Sequence, residues 1–124
     1  MSGGCADTMK RYCFALDLKE DPELIEEYKR YHTAEHIWPK VLERVCAEGV
    51  LSQEIYLTGN RMFMILETTD EFSLDAKKTA DLESTEMQEW EKLMWKFQQP
   101  LPHAEPGEKW VRMEKIFDVK STAQ

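Results

Sequence analysis

Between Tyr28 and Pro39 the chain reads Tyr-Lys-Arg-Tyr-His-Thr-Ala-Glu-His-Ile-Trp-Pro, the densest gathering of proton-moving groups in its 124 residues. Tyr28 and His32 are four apart, so a helix would stack them on one face. Trp38 follows, beside a proline that interrupts helical backbone. An imidazole with an ordinary pKa of about 6.5 gives or takes a proton at neutral pH. Together with a tyrosine hydroxyl and a flat indole it supplies a proton donor, a hydrogen-bond partner and an apolar wall for a small polar ligand. The plainer reading puts Tyr28 and Trp38 in a core stripe with Leu24, Leu42 and Val45, leaving His32 half-buried at its edge. Spacing alone does not separate the two.

His32 to His36 also spells H-x-x-E-H, the inverted zincin motif, which needs two imidazoles on one helical face, a carboxylate base and a further ligand. Pro39 limits the helix that would carry it, and the remaining histidine, His103, sits in a proline-rich stretch. No metal is therefore expected at this string. A second cluster runs Gln88-Glu89-Trp90-Glu91-Lys92-Leu93-Met94-Trp95. Trp90, Leu93 and Met94 share a helical core stripe, whereas Trp95 falls off it and suits a sugar-stacking platform. The carboxylates Glu23/Glu26/Glu27 and Glu83/Glu86/Glu89 fall on solvated helix surfaces. Phosphate-binding loops, dinucleotide fingerprints, nucleophile elbows and EF-hand loops are not found in the sequence.

The elements that must position these groups follow from periodicity. Arg11 to Leu18 alternates, with Tyr12, Phe14, Leu16 and Leu18 on one face, which predicts a strand. Asp21 before Pro22 is an N-cap with proline at the first helical position, so a helix should run from 22 into the thirties and restart near Trp38. The second piece should end at Gly49. Ser52 to Leu57 and Met62 to Thr68, joined by Thr58-Gly59-Asn60-Arg61, predict a hairpin. Its second strand, almost continuously apolar, is expected to be covered on both faces. Helices are predicted over 72–81 and 84–97, an extended connection over 98–109, and a closing strand from Trp110 to Val119. The order β-α-β-β-α-β is the split arrangement of an α+β, ferredoxin-like fold. Residues 1–9 read as a loose leader, 10–120 as one domain and 121–124 as a tail.

Composition sets the outer bounds. With 42% hydrophobic residues the chain can build one core, and 16 Lys and Arg against 24 Asp and Glu give a charge of −8. That balance disfavours a nucleic-acid binder, which needs a basic footprint. No apolar run approaches the ~20 residues that span a bilayer, and no signal segment is evident, so a cytoplasmic protein without membrane partners is expected. Three cysteines, Cys5, Cys13 and Cys46, fit thiols in a reducing compartment. Four tryptophans, five phenylalanines and four tyrosines exceed what so small a core hides, which predicts a homodimer packed through the second sheet face.

Taken in order, Glu27-Tyr28-Lys29-Arg30-Tyr31-His32, Trp38-Pro39, Glu54-Ile55-Tyr56-Leu57, Asn60 to Ile65, Gln88-Glu89-Trp90 and Met113-Glu114-Lys115-Ile116-Phe117 resemble the L-rhamnose mutarotase family over about residues 10–119. Members linked with L-fucose-type 6-deoxy sugars are the nearer match. The resemblance implies a dimeric ferredoxin-like α/β-barrel that interconverts the α and β anomers of a monosaccharide without a cofactor. It also implies that His32 is the catalytic, proton-donating histidine and Tyr28 a substrate contact, with Trp90 the first of a tryptophan pair. The second member of that pair is Glu91 here, with Trp95 a possible substitute wall, and a family tyrosine falls at Gln53 while Tyr56 is kept nearby. Trp38, Gln53, Tyr56, Trp90, Glu91 and Trp95 complete the expected substrate-binding set. His32 to Trp38-Pro39 is a longer interval than in bacterial rhamnose enzymes, and the intact spacing from Tyr28 favours His32 over His36. Two other readings share the fold class: a cofactor-free dimeric α/β-barrel oxygenase and a non-enzymatic ligand-binding module.

Overall fold

The computed structural model describes residues 9–122, with the side chains of 121 and 122 left aside. Most of the expected leader (residues 1–8) and the last two residues of the expected tail lie outside the described residues; Met9 already belongs to the first strand. The elements are β1 (Met9–Leu18), α1 (Pro22–Tyr31), α2 (Pro39–Ala47), β2 (Val50–Thr58), β3 (Arg61–Thr69), α3 (Leu74–Glu83), α4 (Thr85–Trp95), β4 (Gln98–Gln99), β5 (Val111–Arg112) and the short α5 (Val119–Thr122). No helix among the described residues is long and apolar enough to cross a membrane.

Every pairing in the sheet is antiparallel, and the order is β2-β3-β1, with β4 and β5 sharing the far side of β1. This is the ferredoxin-like order with its fourth place divided. The closing strand expected over 110–119 is therefore corrected. Only Val111 and Arg112 pair, opposite Ala15 and Phe14, while Gln98 and Gln99, expected in a connection, pair with Leu18 and Asp17. Pro100 and Pro102 cannot donate to a ladder, so the chain leaves the sheet and rejoins it further along. Beyond Met113, whose amide still donates to the Cys13 carbonyl at 2.7 Å, residues 114–118 form no strand and Ile116 is 90% exposed. Ile116 and Phe117 there are left without cover among the described residues.

The strands are lined up by local chemistry. Asp21 accepts from the amides of Glu23 and Leu24 and starts α1. Gly49 follows α2 at φ +99°, a left-handed conformation in which a Cβ would come within 3.0 Å of Thr69 Oγ1. At the hairpin tip Asn60 donates its side-chain amide to the Leu18 carbonyl at 2.9 Å and accepts from the Leu18 amide, clamping the turn to the end of β1.

The core lies between the helices and one face of the sheet. Leu16, Leu18 and Met62 meet Tyr28, Val41, Met87, Trp90, Met94 and Phe97 there. A second cluster of Val50, Leu66 and Phe72 extends it under α2 and α3. On β3 burial alternates strictly: Met62, Met64, Leu66 and Thr68 are buried, whereas Phe63 is exposed and Ile65 and Glu67 only half-buried. The expectation that β3 is covered on both faces is thus not met within one chain.

Candidate active site

α1 ends at Tyr31 because the next residues turn their bonds inward. The Thr33 hydroxyl donates to the Arg30 carbonyl at 2.8 Å, a side-chain bond that competes with helical propagation, and residues 33–37 are turns. The H-x-x-E-H string therefore does not lie on a helix, and His32 and His36 do not share a helical face. His36 Nδ1 donates to Thr33 Oγ1 at 3.0 Å, since that hydroxyl has already committed its proton to Arg30. His36 is exposed and does not line the cleft described next.

A cleft of about 680 Å³ opens between the α1–α2 region and β2, a volume usual for a small-molecule site. Tyr28, His32 and Trp90 form one wall, Leu18, Val41, Ile55 and Met62 its apolar lining, and Gln53 of β2 a polar point opposite. Parity explains the last residue. Gln53, Ile55 and Leu57 alternate on the helix-facing side of β2, and all three reach the cleft.

His32 Nδ1 lies 2.7 Å from the Tyr28 carbonyl. A carbonyl only accepts, so Nδ1 carries the hydrogen, and in the neutral ring Nε2 is the bare nitrogen. The imidazole lies tilted against Tyr28 at 4.4 Å and meets Trp90 edge-on at 5.6 Å between ring centroids, while one side remains open to solvent. Loss of hydration against these rings pulls its pKa below the ordinary 6.5, outweighing the opposite pull of the Tyr28 carbonyl. His32 is therefore a neutral, base-competent imidazole at neutral pH.

Tyr28 itself is buried, and burial pushes its phenol up to about 12. Its oxygen accepts a hydrogen bond from Gln98 Nε2 at 3.1 Å. Among the described residues no acceptor takes the phenolic proton, which leaves the hydroxyl as a free donor at the cleft wall. Sequence reasoning missed Gln98, because a Gln-Gln-Pro stretch looks like solvent-facing linker and nothing in it signals burial.

The other expected residues divide. Trp38 does not line the cleft; it buttresses Trp90 edge-on at 5.2 Å between centroids. Glu91 and Trp95 lie four apart on another stripe of α4, outside the cleft lining, where Lys109 ion-pairs with Glu91 and sits 5.1 Å from the Trp95 ring centroid. The negative charge of Glu91 still reaches Tyr28 and adds to the rise of its pKa. Tyr56 points to the opposite face of the sheet, 54% exposed, and donates to Glu54 at 3.1 Å. The structure thus brings together His32, Tyr28, Trp90 and Gln53, with Trp38 behind them, and holds Glu91, Trp95 and Tyr56 apart from them.

A small α+β fold whose cleft joins an imidazole, a phenol and an indole wall has room for a small polar molecule and a group able to move a proton. Comparison with known proteins sharpens this. The family model of L-rhamnose mutarotase matches residues 11–119. An L-fucose mutarotase of Xanthomonas campestris pv. campestris is 37% identical over 110 residues, covering 89% of this chain and 88% of the relative. A UPF0734 protein of Dictyostelium discoideum is 39% identical over 115 residues, covering 89% and 90%. The crystal structure of an L-rhamnose mutarotase from Formosa agariphila superposes with a TM-score of 0.64 at 17% identity, over 88% of this chain and 97% of that one, a likeness of fold. The chain belongs to the L-rhamnose mutarotase family, and with it to the isomerases that act on sugars.

Proposed function

We propose that this chain interconverts the α and β anomers of a 6-deoxy-L-hexose, L-fucose or L-rhamnose, without metal or cofactor. The observation that carries the reading is the Tyr28 carbonyl bond to His32 Nδ1, which leaves Nε2 as the working nitrogen of a neutral ring. Nε2 takes the proton of the anomeric hydroxyl while the bond from the anomeric carbon to the ring oxygen breaks. The ring oxygen takes a proton from the Tyr28 hydroxyl. Rotation about the bond next to the new carbonyl, followed by the same transfers in reverse on its other face, returns both protons and yields the other anomer. General acid–base catalysis of this kind contributes about 10²–10⁴-fold. The apolar lining of Leu18, Val41, Ile55 and Met62 suits a methyl group, and Gln53 a hydroxyl. Trp90 supplies the flat face on which a pyranose stacks. Glu91, Trp95 and Tyr56 have no direct contact with sugar in this scheme.

The chain is proposed to work as a homodimer, because the sheet face away from the helices carries the exposed rings of Phe63 and Tyr56. Family membership does not favour an oxygenase or a purely ligand-binding role. Saturation-difference NMR on a panel of reducing sugars tests the function: magnetisation transfer between anomers should speed up for 6-deoxy-L-hexoses when protein is added. A pH series in the same tubes tests the base. With the His32 pKa lowered, the rate should be level at neutral pH and fall as pH drops through a midpoint below 6.5. A rate that instead falls as pH rises through that midpoint would make His32 the acid.

A further inference from the structure

Gln98 is 3% exposed, held in the two-residue strand β4 by pairing with Leu18 and followed at once by Gln99 and Pro100. Its neighbour Phe97 is fully buried against Tyr28, ring to ring at 6.0 Å. The Gln98 amide donates Nε2–H to the Tyr28 oxygen, while its Oε1 has no hydrogen-bond partner among the described residues. A buried polar side chain with half its capacity unmet is costly, and an aliphatic residue would fit the same position more cheaply.

We infer that Gln98 is a positioning residue for mutarotation, which occupies the Tyr28 oxygen from the core side so that the phenolic proton is directed to the sugar. The inference rests on the donor role proposed for Tyr28. The polarity of the bond follows from the orientation of the amide: Nε2, which only donates, faces the phenol, and Oε1 points away from it. In the observed orientation the phenol cannot spend its proton on Gln98. The same bond works against the effect of burial and eases release of the phenolic proton. β4 is then the device that carries this amide under Tyr28: two residues long, pinned to the end of β1, and ended by a proline.

The experiment compares wild type, Gln98→Met, Tyr28→Phe and the double variant, with Gln98→Leu in reserve should Met fold poorly. Anomer exchange is measured at saturating and limiting sugar, and the Tyr28 ring Cζ resonance is followed by 13C NMR after tyrosine labelling, assigned by its loss in Tyr28→Phe. Removing one hydrogen bond should slow exchange at saturation roughly ten-fold with sugar affinity little changed. The Cζ resonance should shift, and the double variant should be no slower than Tyr28→Phe alone. Unchanged exchange in Gln98→Met, or two losses that simply multiply in the double variant, would overturn the inference. A wild-type chain that exchanges no sugar sinks the functional reading and the catalytic consequence with it, while the Cζ shift still decides the hydrogen bond itself.

Discussion

The two faces of one sheet answer the same alternating sequence in opposite ways. On the helix side Met62, Met64, Leu66 and Thr68 of β3 are buried, and the cleft forms where that packing stops short beside β2. On the other side the register sets Arg11 opposite Glu67 and Asp17 opposite Arg61, ion-paired at 2.7 and 2.8 Å. Between and beside these pairs Phe63 and Tyr56 stay exposed, 40% and 54%. One face gets its specificity from rings held by other rings. The other holds charge pairs fixed by strand register, and apolar surface left uncovered among the described residues. The difference separates the face that makes the fold and the cleft from the face that stays open.

The sharpest way to break this comparison is a pair of neighbours. Met62→Lys puts a charge among fully buried hydrocarbon and should abolish folding, read as loss of the cooperative thermal transition. Phe63→Lys, one residue on, should leave a folded chain, and on the proposed homodimer its sedimentation should shift from dimer to monomer. A folded Met62→Lys, or an unfolded Phe63→Lys, would erase the asymmetry between the faces. Within the site a second pair comes next in size. His32→Ala should cut anomer exchange by about 100-fold or more at unchanged thermal stability, whereas His36→Ala should stay within about two-fold of wild type, being held outside the cleft by Thr33. Equal losses from both histidines would reject His32 as the proton carrier.

How much of this was legible depended on whether the cause was local. Tyr28 and His32 could be paired from spacing because four residues make about one helical turn, and Asp21-Pro22 announced its cap for the same reason. The sheet order followed from the β-α-β-β-α-β pattern. The length of the last strand did not, since apolar residues in 110–119 report a wish for cover and not the partner that meets it. Glu91 looked like a cleft residue because it takes the place of the second tryptophan that the family resemblance implies beside Trp90, and Trp95 because it falls off the core stripe. On a helix, adjacent residues point about 100° apart, and only a lysine from a distant loop, Lys109, reveals where they face. Gln98 was illegible in principle: its burial is produced by Leu18 and Tyr28, which the sequence sets far away.

Tyr56 gives the smallest expected effect and the finest distinction. The resemblance to the mutarotases made it a reader of sugar hydroxyls, yet strand parity sends it to the side opposite Gln53, where it bonds Glu54 and faces solvent. Its ionisation is resisted first by that Glu54 contact. Tyr56→Phe removes the hydroxyl and keeps the ring. Since the cleft and the ring's exposed surface both survive, exchange should stay within about two-fold of wild type and the thermal midpoint should not move measurably. Gln53→Ala, three residues earlier and on the cleft side, should weaken sugar binding measurably in the same titration. A Tyr56→Phe loss as large as that of Gln53→Ala would mean that the open face also reaches a sugar, which within this geometry only a second chain laid across it could arrange.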